Sequence, residues 1–368
     1  MAIVFLFPFT AFSQGVILND NKATRKTKAL YQNLHEIAQN GFLFGHQDTD
    51  AYGTIWKGEA DRSDVKDVAG SHAAVHGWDL GNETGAYNLD SVSFKDMQRL
   101  IKEVYRRGGI NTISWHMDNP VTGESSWNKE PVVADIIPGG RHHGAYVQRL
   151  DIVAKFIKGC KRGFTRIPLI FRPWHEHNGD WFWWGKGNCS EEDYKKLYRF
   201  TVEYLRDKKN LHNIIYAFSP DRSRLNIDSA RTSYMYGYPG DGYVDLLGLD
   251  NYMDVGVKWN TRPPAQQRAE FVKGLTTLSE IAKEKKKVAA LTETGLEGVT
   301  NPTWFTDVIL EPITSSPSIK IAYVLVWRNA SNKHHYAPYR GHAAEQNFMT
   351  FYNDPATYFE NDLVDIYK

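Results

Sequence analysis

Eight short apolar runs recur along the chain, each separated from the next by a stretch of helical periodicity. They fall at residues 41–46, 73–79, 110–116, 167–173, 213–219, 244–252, 288–293 and 321–327. Runs so short and so uniformly apolar suit strands buried on both faces, and such strands pair in parallel under a cover of helices. The intervening stretches at 24–39, 63–68, 94–107, 145–163, 190–208, 264–285, 304–313 and 342–352 supply those helices. Gly108-Gly109 closes one of them, and Ser190-Glu191-Glu192-Asp193 gives another an acidic first turn that suits the helix dipole. No Pro- or Ser-rich linker interrupts the alternation, and no solenoid-type repeat underlies it. The pattern therefore predicts α/β architecture, a single (β/α)8 TIM barrel.

Composition narrows what such a barrel does. Lys and Arg total 44 against 43 Asp and Glu, a formal charge of +1. That balance gives no overall electrostatic footprint for nucleic acid or an anionic membrane. Aromatic residues make up 13% of the chain, including 11 Trp. Trp clustered among Gly, Asn and Asp in loops is hard to assign to packing, and flat aromatic faces complement the C–H faces of pyranose rings. Residues 1–14 form an apolar segment ending Ala11-Phe12-Ser13-Gln14. It reads as a secretory signal, although a basic n-region is missing, and it is too short to span a bilayer. The expected location is periplasmic or secreted, with residues 15–368 as the functional domain and no membrane span. Cys160 and Cys189 fall at opposite ends of one strand, roughly 20 Å apart and beyond disulfide reach, so both are expected as free thiols.

In a barrel of this kind, chemistry is carried at the C-terminal ends of the strands. The residues at those ends are His46/Gln47, Asp79, His116, His175/Glu176, Ser219, Asp250/Tyr252, Glu293 and Trp327/Arg328. Glu176 follows strand four and Glu293 follows strand seven, so the two carboxylates can face each other across the barrel mouth. At about 5–5.5 Å apart, one carboxylate attacks an anomeric carbon while the other protonates the leaving oxygen, with net retention of configuration. The acid needs a raised pKa, which an aromatic shell of Trp174 and the 181–184 cluster supplies by excluding water.

These residues carry a resemblance. Phe171-Arg172-Pro173-Trp174-His175-Glu176-His177-Asn178-Gly179, with Trp181-Phe182-Trp183-Trp184-Gly185, resembles the acid/base signature of glycoside hydrolase family 26, the β-mannanase family of clan A. Leu291-Thr292-Glu293-Thr294-Gly295 resembles the family's nucleophile segment. Phe44-Gly45-His46-Gln47-Asp48, Ser114-Trp115-His116, Gly248-Leu249-Asp250-Asn251-Tyr252 and Val326-Trp327-Arg328-Asn329 match as well. The resemblance implies retaining hydrolysis of β-1,4-mannosidic bonds in mannan, glucomannan or galactomannan, endo-acting or releasing mannobiose, with no cofactor and no metal. Glu176 is the implied acid/base and Glu293 the implied nucleophile. Tyr252 is expected to hold the nucleophile, and His175 to hold a sugar hydroxyl or orient a carboxylate. His116 is expected on the non-reducing side of the cut, Trp181 stacked on a sugar beside the scissile bond, Trp327 as the floor of the cleaved sugar, and Arg328 at a further subsite. Trp115 and Asn119 join them as further substrate-binding candidates.

Other readings of the same residues are weaker. His175-Glu176-His177 lacks the helical His-Glu-x-x-His spacing of a zinc site. Asp48, Asp50 and Glu59 imitate a calcium loop, but Tyr52 occupies a ligand position and no helix pair flanks the loop. A same-family β-1,3/1,4-xylanase or β-glucanase would keep the catalytic pair and change the subsites. A non-catalytic polysaccharide-binding barrel is expected to lose one glutamate, and both are present.

Overall fold

The computed structural model describes residues 15–368, so the expected signal segment at 1–14 lies outside the described residues. Eight parallel strands form the centre: β1 (Phe42–Gln47), β2 (Val75–Asp79), β3 (Ile110–Trp115), β4 (Leu169–Pro173), β5 (Ile214–Phe218), β6 (Leu246–Asn251), β7 (Val288–Thr294) and β8 (Tyr323–Val326). Each pairs with its neighbours in sequence, and β1 pairs with both β2 and β8, which closes the barrel. Every residue of these strands is buried, side chains inside the barrel and side chains under the helices alike. That two-sided burial is why the runs read as continuously apolar.

The N-terminal mouth of the barrel is covered by helix α1 (Arg25–Asn40), which buries Leu30, Tyr31 and Leu34. The Thr24 side chain caps it by accepting from the Thr27 amide, and the Thr24 amide donates to His212 O just before β5. Tyr31 Oη donates to Asp245 O just before β6 at 2.7 Å, and Gly41 leads straight into β1. Cys160 and Cys189 are both free thiols. No helix among the described residues is long and apolar enough to cross a membrane.

Three expectations need correction. The helix expected over 145–163 ends at Gly159 (His143–Gly159), and a small antiparallel hairpin follows, Lys161–Arg162 against Thr165–Arg166. The apolar period stops at Ile157, and Gly163 at φ +60° takes the left-handed turn that brings the chain back. The helices expected at 190–208 and 304–313 each contain a π-helical stretch, Tyr204–Lys208 and Phe305–Leu310. A short strand, Thr357–Tyr358, adds to β1 beside the barrel and was not apparent from periodicity.

That C-terminal strand is anchored by a buried charge network. Glu360, just beyond it, lies 3.1 Å from His76 Nε2 and 2.6 Å from Arg107 Nε. Asp50 completes the cluster, 3.3 Å from His76 Nδ1, 2.6 Å from Arg107 Nη2 and 3.1 Å from His72. Burial opposes a charge on His76, but Asp50 and Glu360 outweigh it and raise its pKa to about 9. A histidine whose folded pKa lies above its unfolded value stabilises fully below about 6.5 and loses that stabilisation as pH rises through about 9. The shift corresponds to about 3 kcal/mol. Thermal melts of His76→Gln should therefore lie well below those of the parent at pH 6, with the gap closing toward pH 10. A gap independent of pH would show that the imidazole is not held charged.

Candidate active site

The site begins where β4 ends. After Pro173 the backbone makes a turn in which Trp174 (φ 55°) and Glu176 (φ 53°) both occupy the left-handed region. For side chains other than glycine this costs on the order of 1–3 kcal/mol each and persists only when neighbours enforce it. Here Trp174 O accepts from Tyr194 Oη at 2.9 Å, His175 O accepts from Trp184 Nε1 at 2.9 Å, and the Glu176 amide donates to Ser219 O at 2.8 Å. The clustered Trp residues divide in role. Trp174, Trp183 and Trp184 are fully buried and pack edge to face, so they are packing residues after all, while Trp181 keeps an accessible ring.

The second carboxylate is aimed by an irregularity in β7. Leu249 of β6 pairs with Leu291, but Asp250 pairs with Glu293, so Thr292 is an extra residue, a β-bulge. A bulge of this kind re-aims the side chain that follows it. Glu293 then accepts from Tyr252 Oη at 2.9 Å and from Arg172 Nη2. Arg172, buried in β4, reaches Asp250 with its other terminal nitrogen. Asp250 in turn accepts from Thr292 Oγ1 at 2.7 Å and Ser219 Oγ at 3.2 Å.

Both glutamates open onto one cavity of about 660 Å³, which His116, Trp181, Tyr252 and Trp327 also line. Glu176 accepts from Trp181 Nε1 at 2.8 Å through Oε2, and its Oε1 has no protein partner among the described residues. Burial, followed by the nearby charges of Asp221, Glu293 and Asp250, pushes the Glu176 carboxyl well above the usual range. Arg224 lies over one face of the Trp181 ring, 5.2 Å from its centre, and pairs with Asp180 at 2.8 Å.

His116 and His175 form a polar chain. His116 Nδ1 meets Asp79 Oδ2 at 2.7 Å, and its Nε2 lies 3.1 Å from His175 Nε2. Burial opposes charging His116, but the Asp79 carboxylate prevails and raises its pKa. Burial and then the charges of Arg172 and His116 hold His175 well below its ordinary value. His116 Nδ1 thus faces the Asp79 carboxylate and its Nε2 faces the neutral His175 ring, whose other nitrogen, Nδ1, has no partner among the described residues. His175 itself is buried and does not line the cavity.

Arg328, Trp115 and Asn119 also lie outside the cavity lining. Arg328 Nε pairs with Asp90 at 2.9 Å and its Nη1 reaches Tyr52 Oη at 3.3 Å. Trp115 is fully buried against Trp174, and its indole donates to Glu83. Asn119 is a loop-fixing residue: its amide nitrogen donates to Asn128, and its oxygen accepts from the backbone of Val121 and Thr122. The calcium-like loop resolves into separate contacts, Asp48 accepting from Tyr52 and Asp50 pairing with His72 and Arg107.

A family model, Glycosyl hydrolase family 26, matches residues 19–345. The chain belongs to glycosyl hydrolase family 26. Among family 26 structures it resembles a β-mannanase from Bacteroides ovatus, 41% identical with a TM-score of 0.86, covering 94% of this chain and 98% of that one. It also resembles the catalytic domain of an endo-β-1,4-mannanase from Bacillus sp. JAMB-750, 33% identical with a TM-score of 0.88, covering 98% of each chain. In sequence it is 34% identical to a mannan endo-1,4-beta-mannosidase of Bifidobacterium adolescentis over 92% of this chain. The chain spans 35% of that protein's length, and 65% of a similarly named Bacillus subtilis protein.

Some residues at this cavity were not among the candidates drawn from the sequence. Arg172 was visible as a charge inside an otherwise apolar strand, a signal that a buried partner must exist. Trp127 and Trp259 also line the cavity while each remains 61% exposed, and isolated Trp in polar loops gave little to separate them from surface residues. The histidine chain generates a direct test. With Asp79 replaced by Asn, burial and the charge of Arg172 oppose a proton on His116 and only Glu293 still favours it, so its pKa should fall. NMR titration of labelled imidazoles measures this, and an unmoved His116 would refute the assigned pairing.

Proposed function

We propose that the protein hydrolyses β-1,4-mannosidic bonds in mannan, glucomannan or galactomannan with retention of configuration. Glu176 acts as acid/base and Glu293 as nucleophile. One observation carries this reading: two carboxyl groups share a cavity yet sit in opposite surroundings. Water exclusion and neighbouring negative charge keep Glu176 protonated, whereas a guanidinium and a phenol both donate to Glu293.

The chemistry follows from those contacts. Trp181 Nε1–H occupies Oε2 of Glu176, so the transferable proton sits on Oε1, the oxygen without a protein partner. That proton passes to the glycosidic oxygen as a Glu293 oxygen attacks the anomeric carbon, giving a glycosyl ester. Water, deprotonated by the now ionised Glu176, then hydrolyses the ester and restores both groups. Trp327 supplies an aromatic floor and Trp181 a platform for the neighbouring sugar. His175 and Arg328 act from beside the cavity, His175 by orienting His116 and the turn at Glu176. The names of the relatives support β-mannan as substrate. A β-glucan arm belongs in any assay, because part of the chain is 30% identical to a segment of an Endoglucanase H from Acetivibrio thermocellus. The apolar segment at 1–14 supports a location outside the cytoplasm.

Three readouts test the assignment. Glu293→Ala should abolish turnover of every glycoside. Glu176→Ala should lose about 10²–10⁴-fold on mannan but far less on a 2,4-dinitrophenyl mannobioside, whose leaving group needs no proton. The alkaline limb of kcat/KM, set by ionisation of Glu176, should disappear in the same variant. Equal losses on both substrates, or first release of the α-anomer by NMR, would overturn the mechanism.

A further inference from the structure

The opposite end of the barrel carries a feature that hydrolysis does not use. The hairpin 161–166 precedes β4, so it projects from the N-terminal face, away from the cavity. Its tip is Gly163-Phe164, and Phe164 is 107% exposed, more accessible than any other large apolar side chain described. An aromatic ring left wholly in water forgoes about 1.5–3 kcal/mol of burial. Nothing in the fold asks for it there, since the turn is made by Gly163.

Two clefts flank the hairpin, and both are basic. One is lined by Lys102, Arg106, Lys161 and Arg162, with further Lys and Arg along the helix Phe94–Arg107. The sole acid in its lining, Glu103, is already paired with Arg99. The other cleft contains Lys22, Arg25 and Arg166 with Phe164 itself, and no acidic residue. Nearby Asp20 and Asp207 are engaged by His212 and Arg206. Lys22, Arg25, Lys102, Arg106, Lys161 and Arg162 have no carboxylate partner among the described residues, whereas Arg99 beside them pairs with Glu103 and Arg206 with Asp207. A chain with a formal charge of +1 thus presents six unpaired cations around one protruding ring.

We propose that this face is a peripheral docking surface for an anionic phospholipid bilayer, with Phe164 inserted at the headgroup level and the flanking cations on lipid phosphates. The shape favours a bilayer over a protein partner. Phe164 is a convex tip, so a protein would have to supply a fitted hole, whereas the interfacial region of a membrane accepts a wedge without matching its shape. Each Lys or Arg near an anionic surface contributes about 1 kcal/mol, enough for a handful of them and one aromatic to give reversible attachment. Docked by its base, the barrel would leave its catalytic mouth open to the surroundings.

Co-sedimentation of the full chain with vesicles tests this, using phosphatidylcholine alone and phosphatidylcholine with about 30% phosphatidylglycerol. Binding is expected only to the anionic vesicles and should be weakened strongly by high salt. K161E/R162E should reduce the partition coefficient by about tenfold or more, and F164S should reduce it severalfold. Rates on soluble mannan should be unchanged in both variants, because neither site touches the cavity. No preference for anionic vesicles would overturn the proposal. So would binding indifferent to F164S, which would indicate simple adsorption of a polycation. Retention on an acidic protein at a strength exceeding that on vesicles would replace the membrane with a protein partner.

Discussion

A guanidinium buried inside a closed barrel must find its counter-charges there, and Arg172 finds two. Asp250 takes one terminal nitrogen and Glu293 the other. Removing one member of such a buried set leaves an uncompensated charge, which costs on the order of 3–5 kcal/mol. Much of the site's geometry follows from satisfying this cation. Thr292 is displaced into a bulge and donates to Asp250, which fixes the acid that fixes the arginine. The same bulge points Glu293 at the guanidinium and the cavity at once. Arg172 also helps keep His175 neutral, so one buried charge organises Glu293 and the imidazole next to Glu176.

The strands were legible because a parallel barrel buries both faces of each one, which leaves an unbroken apolar signature. Seven-residue β7 and six-residue β1 are alike in this respect. That Glu176 and Glu293 reach one cavity was legible because both stand at strand ends and the motifs around them are specific. What the sequence did not reveal was how individual loop side chains are used. Asn119 looks like an exposed loop amide, yet its oxygen and nitrogen both serve the loop's own backbone and Asn128. Trp183 and Trp184 look like sugar platforms, yet they pack against Trp174. The hairpin at 161–166 was hidden because it is too short to show a period of two, and its strongly basic sequence resembles a helix end.

Net charge was a poor guide for a related reason. A sum over the chain cancels the unpaired cations near Phe164 against carboxylates that are mostly at other places and mostly engaged. Asp50, Asp79, Asp250 and Glu360 are buried with cationic or imidazole partners and project little field into solvent. Cations at the base face water with no such partners. The field a surface presents is set by which charges remain unpaired, and only the fold decides that.

Strain and rigidity meet at the turn after β4. Left-handed Trp174 and Glu176 cannot be held by a loop that moves freely, and the buried Trp cluster supplies the opposing rigidity. Trp181 stands at the edge of that cluster, one ring face covered by Arg224 and its N–H committed to Glu176. In the proposed mechanism a sugar held against Trp181 therefore presses on the group that orients the acid. Substrate position and proton position are then set by the same indole. A loop carboxylate lacking that link would have to be oriented anew at each turnover, with the entropy cost falling on the chemical step. The strained turn and its aromatic packing place that cost in the folding of the protein instead.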